Sequence, residues 1–252
     1  MSSVYLFDVD GTLTPPKAKI DPTFATAFLK WMKTREVYIV SGGSFVRIIE
    51  QLGIPIMNEV HGVFACMANT FYQRRDQVNY SGMNEWDLLY ENEFISPRNL
   101  VRSLNAYVAK SNYHTKTGRH LEERAGMLNF SIVGRNASAA QRANYAGYDA
   151  EHNERKRIVK ALAQKYTELE FVIGGAVSID IFNRGNDKSQ IIDRYFREAL
   201  QDNEIHFVGD RIPFPGNDHT IAQVLSAHPN GTTHEVENWQ DTAELLKTEP
   251  FA

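Results

Sequence analysis

Three short apolar runs constrain what this chain can fold into. VYLF (4–7), VYIV (37–40) and IHFVGD (205–210) each close on polar or glycine residues, and the first two are separated by a helical pattern. Asp21-Pro22 supplies an N-cap followed by a proline at the first helical position. Phe24, Phe28, Trp31 and Met32 then recur at helical spacing, which predicts an amphipathic helix over 22–34. After VYIV comes SGGS (41–44), with Ser44 placed to cap a helix through Ile48, Ile49 and Leu52, and Gly53 at the C′ position. Strand, helix, strand, helix at this spacing predicts βαβ units and a parallel sheet.

The middle of the chain follows another pattern. In MLNFSIV (127–133), Leu128, Phe130 and Ile132 alternate with Asn129 and Ser131, as in a half-buried strand of an antiparallel sheet. Segment 151–166 reads as a helix on Ile158, Leu162 and Tyr166, and FVIG with SIDIF (171–182) as a hairpin turned at Gly174-Gly175. From 187 a helix carrying Ile191, Ile192, Tyr195 and Phe196 precedes the third apolar run. The expected organisation is an α/β core of residues 1–82 and 186–252, interrupted by an α+β domain at 83–185. A chain of 252 residues is long enough for both.

A net charge of −4 argues against nucleic acid as a partner. The single cysteine, Cys66, excludes an internal disulfide framework and fits a reducing compartment. MSSVYLFDVDG has neither a basic n-region nor an apolar h-region, and no apolar run approaches the ~20 residues that span a bilayer. A cytoplasmic protein without membrane attachment is expected. His61, His114, His120 and His219 show no zinc spacing, and no G-x-G-x-x-G follows the first strand, which argues against a nicotinamide-dependent dehydrogenase.

The chemistry concentrates at strand ends. Asp8 and Asp10 stand two residues apart in LFDVDGTLTPP, where like charges repel and strand interiors avoid Asp. Read alone, DVDG is also compatible with a turn bearing two solvated acids. In an open parallel sheet, however, ligands bind beyond the carboxyl ends of the strands, and Asp210 closes another strand there. Acids gathered at one sheet edge suit a hard cation such as Mg²⁺. One Asp can attack phosphorus to form an aspartyl phosphate while the other handles the proton of the leaving or entering oxygen. Lys188 follows Asp187, the predicted N-cap, so its charge opposes the helix dipole; an unfavourable placement of that kind points to a use, such as neutralising phosphate and carboxylate.

Asp8-Val9-Asp10-Gly11-Thr12 resembles the nucleophile motif of the haloacid dehalogenase superfamily, with Ser41 and nearby Ser44, Lys188, and Asp210 with Asp218 matching its later motifs in order. FDVDGTLTPP, ERAGMLNFSIVGR (123–135), IGGAVSIDIF (173–182) and GDRIPFPGNDHT (209–220) narrow the resemblance to the eukaryotic-type phosphomannomutases. It implies a Rossmann-like parallel-sheet core with an inserted α+β cap of type IIB. It further implies an isomerase that interconverts mannose 1-phosphate and mannose 6-phosphate for GDP-mannose synthesis. Asp8 would be the nucleophile and Asp10 the general acid/base. Mg²⁺ would lie on Asp8, Asp10 through its backbone carbonyl, and Asp210, with Asn217 and Asp218 behind these ligands. Lys17, Arg124, Arg135, Arg142, Ser178 and Asp180 would bind the hexose phosphate, a hexose 1,6-bisphosphate would act as activator, and two copies would pair through the cap. Guanidinium forks suit phosphate, because two N–H groups meet two oxygens.

The chain departs from the family pattern at four places. Lys17 stands where an arginine is usual, and Met67-Ala68-Asn69-Thr70 replaces a Glu-Asn-Gly segment. Asn186 replaces a tryptophan, and a position near Val224 lacks an acid. Two rival readings remain open: a Mg²⁺-dependent sugar-phosphate phosphatase with the same core, and a non-catalytic phosphate-binding module.

Overall fold

A computed structural model describes residues 3–79 and 81–251. The chain divides into two compact units, one ending at Glu91 and resuming at Asn186, the other Asn92–Gly185.

In the first unit, seven strands form one sheet: β1 (Ser3–Phe7), β2 (Glu36–Val40), β3 (Gly62–Ala65), β4 (Thr70–Val78), β5 (Asn84–Glu91), then β10 (Glu204–Gly209) and β11 (Gly231–Glu235). Their order is β11-β10-β1-β2-β3-β4-β5, with β1 at the centre of the parallel part and β4 and β5 added antiparallel. The central strands are apolar along their length because both faces are covered. Val4, Leu6, Ile205 and Phe207 pack with Ile191, Ile192, Phe196, Leu200, Ile221 and Leu225. On the other face, Tyr5 and Phe7 meet Phe28 and Trp31 of the helix Pro22–Met32. That helix starts where the sequence places it, with the Asp21 carboxylate accepting from the Thr23 and Phe24 amides at 2.9 and 3.0 Å.

The expected boundary after residue 82 is corrected to Glu91. β4 and β5 extend the core sheet as a hairpin, but most of their residues are exposed, so the sequence TFYQRRDQV carries no buried-strand signature. The segment from 187 also differs from a regular helix: Ile192–Phe196 form one π-helical turn, followed by a short helix at Ala199–Asp202.

The second unit has a four-stranded antiparallel sheet of β6 (Leu121–Arg124), β7 (Met127–Phe130), β9 (Ser178–Asn183) and β8 (Leu169–Gly174), in the order β6-β7-β9-β8. Leu128, Phe130, Ile179 and Ile181 give one face to a core completed by Leu100, Leu104, Tyr145, Ile158 and Leu162. The helix expected at 151–166 is two, Ala139–His152 and Glu154–Lys165, because Asn153 adopts a left-handed conformation (φ 51°) and breaks the run. β7 ends at Phe130, short of the expected 133. Among the described residues, no helix is long and apolar enough to cross a membrane.

The C-terminal residues close the aromatic face of the core. Phe251 is fully buried against Tyr5, Trp31, His206 and His234, and its carbonyl accepts from Trp31 Nε1 at 2.7 Å. Replacing Phe251 by alanine is expected to cost about 3–5 kcal/mol, read from urea unfolding. His206 and His234 lie with Nδ1 and Nε2 3.3 Å apart. Burial holds both imidazoles below their usual range, His234 at about 4, where the neighbouring ring adds to the effect; for His206, Glu204 opposes it. In the unfolded chain both titrate near 6.5. Between about 4 and 6.5 the unfolded chain therefore binds more protons, and these two histidines lower stability as pH falls through that window. The variant His234→Gln should lose less stability between pH 7 and pH 5 than the parent, measured by urea midpoints at both pH values; equal losses would refute the assignment.

Candidate active site

β1 and β10 run parallel and in register, Phe7 opposite Val208, so the residues just past their ends emerge side by side. Asp8 follows β1 directly, tied by its amide to the Val208 carbonyl at 2.9 Å, and Asp210 follows β10. Asp218, fully buried, precedes the helix His219–Ser226 and accepts from the Arg211 amide at 3.0 Å. Asp8, Asp210 and Asp218 each offer a carboxylate oxygen, all within 4.8 Å of one another.

Lys188 enters this cluster fully buried. Its Nζ donates to Asp8 Oδ1 and to Asp218 Oδ1, each at 2.6 Å. Burial pulls the ammonium toward its neutral form, but the Asp218 and Asp8 carboxylates outweigh it and hold the proton on Lys188. The carboxylates are in surplus. Burial raises Asp8 to about 7, against the pull of Lys188 and with added repulsion from Asp218 and Asp10. Burial, with Asp8 and Asp218, raises Asp210 to about 8, although the half-exposed Arg211 guanidinium stands 3.2 Å from its Oδ2.

Three carboxylates, two of them buried, against one buried ammonium form an oxygen-only donor set with excess negative charge, which suits a hard divalent cation such as Mg²⁺. Two glycines make room for these carboxylates. A Cβ on Gly11, whose φ is +94°, would lie 2.3 Å from Asp210 Oδ2, and one on Gly209 would lie 2.6 Å from Asp218 Oδ2. The glycines of DVDG and VGD are therefore required by the carboxylates beside them.

Asp10 is expected to reach a metal through its backbone carbonyl and to keep its carboxylate for the proton. Its side chain is not among the three converging carboxylates; Oδ1 accepts from the Lys17 amide at 2.6 Å and from Gln51 Nε2 at 2.8 Å. Asp218, expected behind the ligands, stands inside the cluster instead. Lys17 meets Asp10 through its main chain in a left-handed conformation (φ 62°). Ser41 is buried and its Oγ accepts from the Gly43 amide at 3.0 Å, while Ser44 begins the helix Phe45–Leu52 with no side-chain cap bond. Asn217 Nδ2 points at Met67 Sδ, 3.7 Å away.

The Met67 segment is strained. Cys66, Met67 and Ala68 take φ of 53°, 60° and 63°, a left-handed run that costs of order 1–3 kcal/mol per residue. The Cys66 and Met67 amides donate to the Gly43 and Ser41 carbonyls, and Asn69 Nδ2 donates to the Cys66 and Asn186 carbonyls. Asn69 thereby fastens the loop after β3 to the one that leads into Lys188.

In the second unit, Arg124, Arg135 and Arg142 gather on one another. Arg135 is held down at about 10, first by burial and then by the like charge of Arg124, with Arg142 adding to it against Glu122. Glu122 receives Arg124 Nε at 3.0 Å and also pairs with Arg135. Arg135 Nη1 donates to Asn129 Oδ1 at 2.7 Å, and Asn129 Nδ2 donates to Asp180 Oδ1 at 2.5 Å. Arg142 bonds to the Ala137 and Arg135 carbonyls at 3.2 and 3.4 Å. Ser178 and Asp180 share a face of β9 with Asn129 of β7 opposite Asp180. Three guanidiniums brought together at the cost of mutual repulsion have the chemistry that suits a phosphate-sized anion.

Gln51, Glu122, Asn129 and Asn69 are not among the site residues expected from the sequence. A signal existed for two of them. Gln51 lies one turn past Ile48 on the buried face of its helix, and Asn129 stands on the face of β7 opposite Leu128 and Phe130, across from Asp180.

Comparison with known proteins agrees with this geometry. Residues 25–249 match the family described as eukaryotic phosphomannomutase. A phosphomannomutase of Dendrobium officinale is 35% identical over 97% of this chain and 92% of its own length. One of Saccharomyces cerevisiae is 31% identical over 99% and 94%. Among solved structures, an IMP-nucleotidase of Plasmodium falciparum superposes with a TM-score of 0.62 at 15% identity, covering 100% of this chain and 71% of the other. A haloacid dehalogenase-like hydrolase of Bacteroides thetaiotaomicron gives 0.55 at 12% identity, covering 98% and 99%; both likenesses concern the fold. The chain belongs to the eukaryotic phosphomannomutase family and is an enzyme, a phosphomannomutase built on the haloacid dehalogenase fold.

Proposed function

We propose that Asp8 is the nucleophile that carries the phosphoryl group between the two positions of mannose. The observation that carries this reading is the fully buried Lys188 ammonium, 2.6 Å from both Asp8 and Asp218, at the end of the central strand. An Asp8 oxygen attacks phosphorus, the bond from phosphorus to the sugar oxygen breaks, and Asp10 gives that oxygen its proton. In the second half, the free 6-hydroxyl of mannose 1-phosphate returns a proton to Asp10 and takes the phosphoryl group from Asp8, and the 1,6-bisphosphate so formed turns round to bring its other phosphorus to Asp8. Lys188 stays protonated throughout and offsets the charge of Asp8 and Asp218. Asp8, Asp210 and Asp218 would hold Mg²⁺, whose chemistry there is to neutralise charge on the transferring phosphoryl group. The Arg124, Arg135 and Arg142 cluster binds a phosphate of the hexose, with Ser178 and Asp180 on the same sheet to read its hydroxyls.

A mutase of this kind needs a hexose 1,6-bisphosphate to load Asp8, and its products feed GDP-mannose synthesis. The lone buried Cys66 supports a cytoplasmic setting. Pairing of two copies through the second unit is part of the same reading and rests on the family resemblance; size-exclusion chromatography with light scattering tests it.

Phosphorus NMR of the protein with Mg²⁺ and mannose 1-phosphate should show mannose 6-phosphate that depends on added glucose 1,6-bisphosphate. Accumulation of inorganic phosphate alone would make the enzyme a phosphatase. The variant Asp8→Asn should form no product, and Asp10→Asn should lose about 10²–10⁴-fold in kcat. Arg135→Lys should raise KM for hexose phosphate by about tenfold or more, since it loses the bidentate fork at a charged hydrogen bond.

A further inference from the structure

Gln51 is a buried primary amide, 4% exposed, on a helix whose other inward residues are Ile48 and Leu52. A buried amide without partners costs free energy, so its partners report why it is there. Its Nε2 donates to Asp10 Oδ1 at 2.8 Å and to Thr14 Oγ1 at 3.1 Å. The Thr14 hydroxyl in turn donates to the Val9 carbonyl at 3.3 Å, so toward Gln51 it acts as an acceptor. The amide orientation is thereby fixed, because the opposite one would set its oxygen against two acceptors. The Lys17 amide donates to the same Asp10 oxygen at 2.6 Å.

Asp10 Oδ1 is thus committed to two donors held by packed structure. An oxygen that receives two N–H groups is a poor place for a proton. We propose that Gln51 is a positioning residue for Asp10. It fixes Oδ1 as a standing acceptor and so presents Oδ2 as the oxygen that exchanges a proton with the sugar hydroxyl. Without the amide, the carboxylate rotates about its bond to Cβ, and the proton is offered in the wrong direction. The inference rests on Asp10 being the general acid/base.

The discriminating readout is the leaving group. A sugar oxygen leaves as a strongly basic alkoxide and needs a proton, whereas p-nitrophenolate leaves without one. The burst of phosphoenzyme formation is measured with Mg²⁺ by acid quench, from glucose 1,6-bisphosphate and from p-nitrophenyl phosphate. The parent is compared with Gln51→Leu and Asp10→Asn. Gln51→Met, with its unbranched side chain of similar length, replaces Gln51→Leu if the latter does not fold. The Gln51 variant should form phosphoenzyme about 10–100-fold more slowly from the bisphosphate, with KM unchanged, and at a rate within about threefold of the parent from p-nitrophenyl phosphate. Asp10→Asn should show the same selectivity more strongly. If Asp10→Asn is selective and the Gln51 variant slows both donors equally, or neither, the role assigned to Gln51 is overturned and that of Asp10 stands. If Asp10→Asn shows no selectivity, the acid/base reading fails and the inference falls with it.

Discussion

Everything at this sheet edge depends on one buried ammonium. Moving an ion out of water costs several kcal/mol even after relaxation, and a pair survives only when geometry returns that cost. Lys188 meets the condition with two bonds of 2.6 Å, to Asp8 and Asp218. These bonds join three stretches that are far apart in sequence: the end of β1, the loop before the helix His219–Ser226, and the turn that follows Asn186. Removing either partner would strand a charge, which typically costs 3–5 kcal/mol. The arrangement therefore fixes backbone and chemistry together. A lysine that looks badly placed against a helix dipole is well placed once the carboxylates beside it are seen.

The two units show how sheet type selects the kind of site. In the parallel sheet, side chains along the strands are used up in packing on both faces, so polar chemistry collects past the strand ends, where Asp8 and Asp210 emerge next to each other. In the antiparallel sheet of the second unit, one face is core and the other polar, so Asn129, Ser178 and Asp180 lie along the strands themselves. Arg124 and Arg135 flank them at the ends of β6 and in the loop after β7, and Arg142 joins from the helix Ala139–His152. Each cluster carries excess charge of one sign. The acidic one suits a divalent cation, and the basic one suits a phosphate.

Much of this was legible in the sequence. The apolar runs located β1, β2 and β10, and the acids that ended two of them pointed to Asp8 and Asp210. What sequence could not supply was side-chain direction after a strand stops. Asp8 and Asp10 share a face only while the chain stays extended, but β1 ends at Phe7 and the loop turns Asp10 toward Lys17 and Gln51. Asp218 joined the metal-type cluster for the converse reason, since the loop from 210 to 218 folds back through the Arg211 amide. Glu122 was hidden because a glutamate beside arginines on a short strand resembles any surface ion pair. The β4–β5 hairpin was missed because an exposed antiparallel extension has no buried face to set its pattern.

The central claim is that the acid cluster carries more negative charge than Lys188 offsets and holds a divalent cation for that reason. Isothermal titration of Mg²⁺ into the parent and into Asp210→Asn tests it most directly, with urea unfolding alongside to show that the variant is folded. The account predicts that the parent binds Mg²⁺ and that Asp210→Asn, still folded, binds it much more weakly. Equal affinity in the two proteins would contradict it.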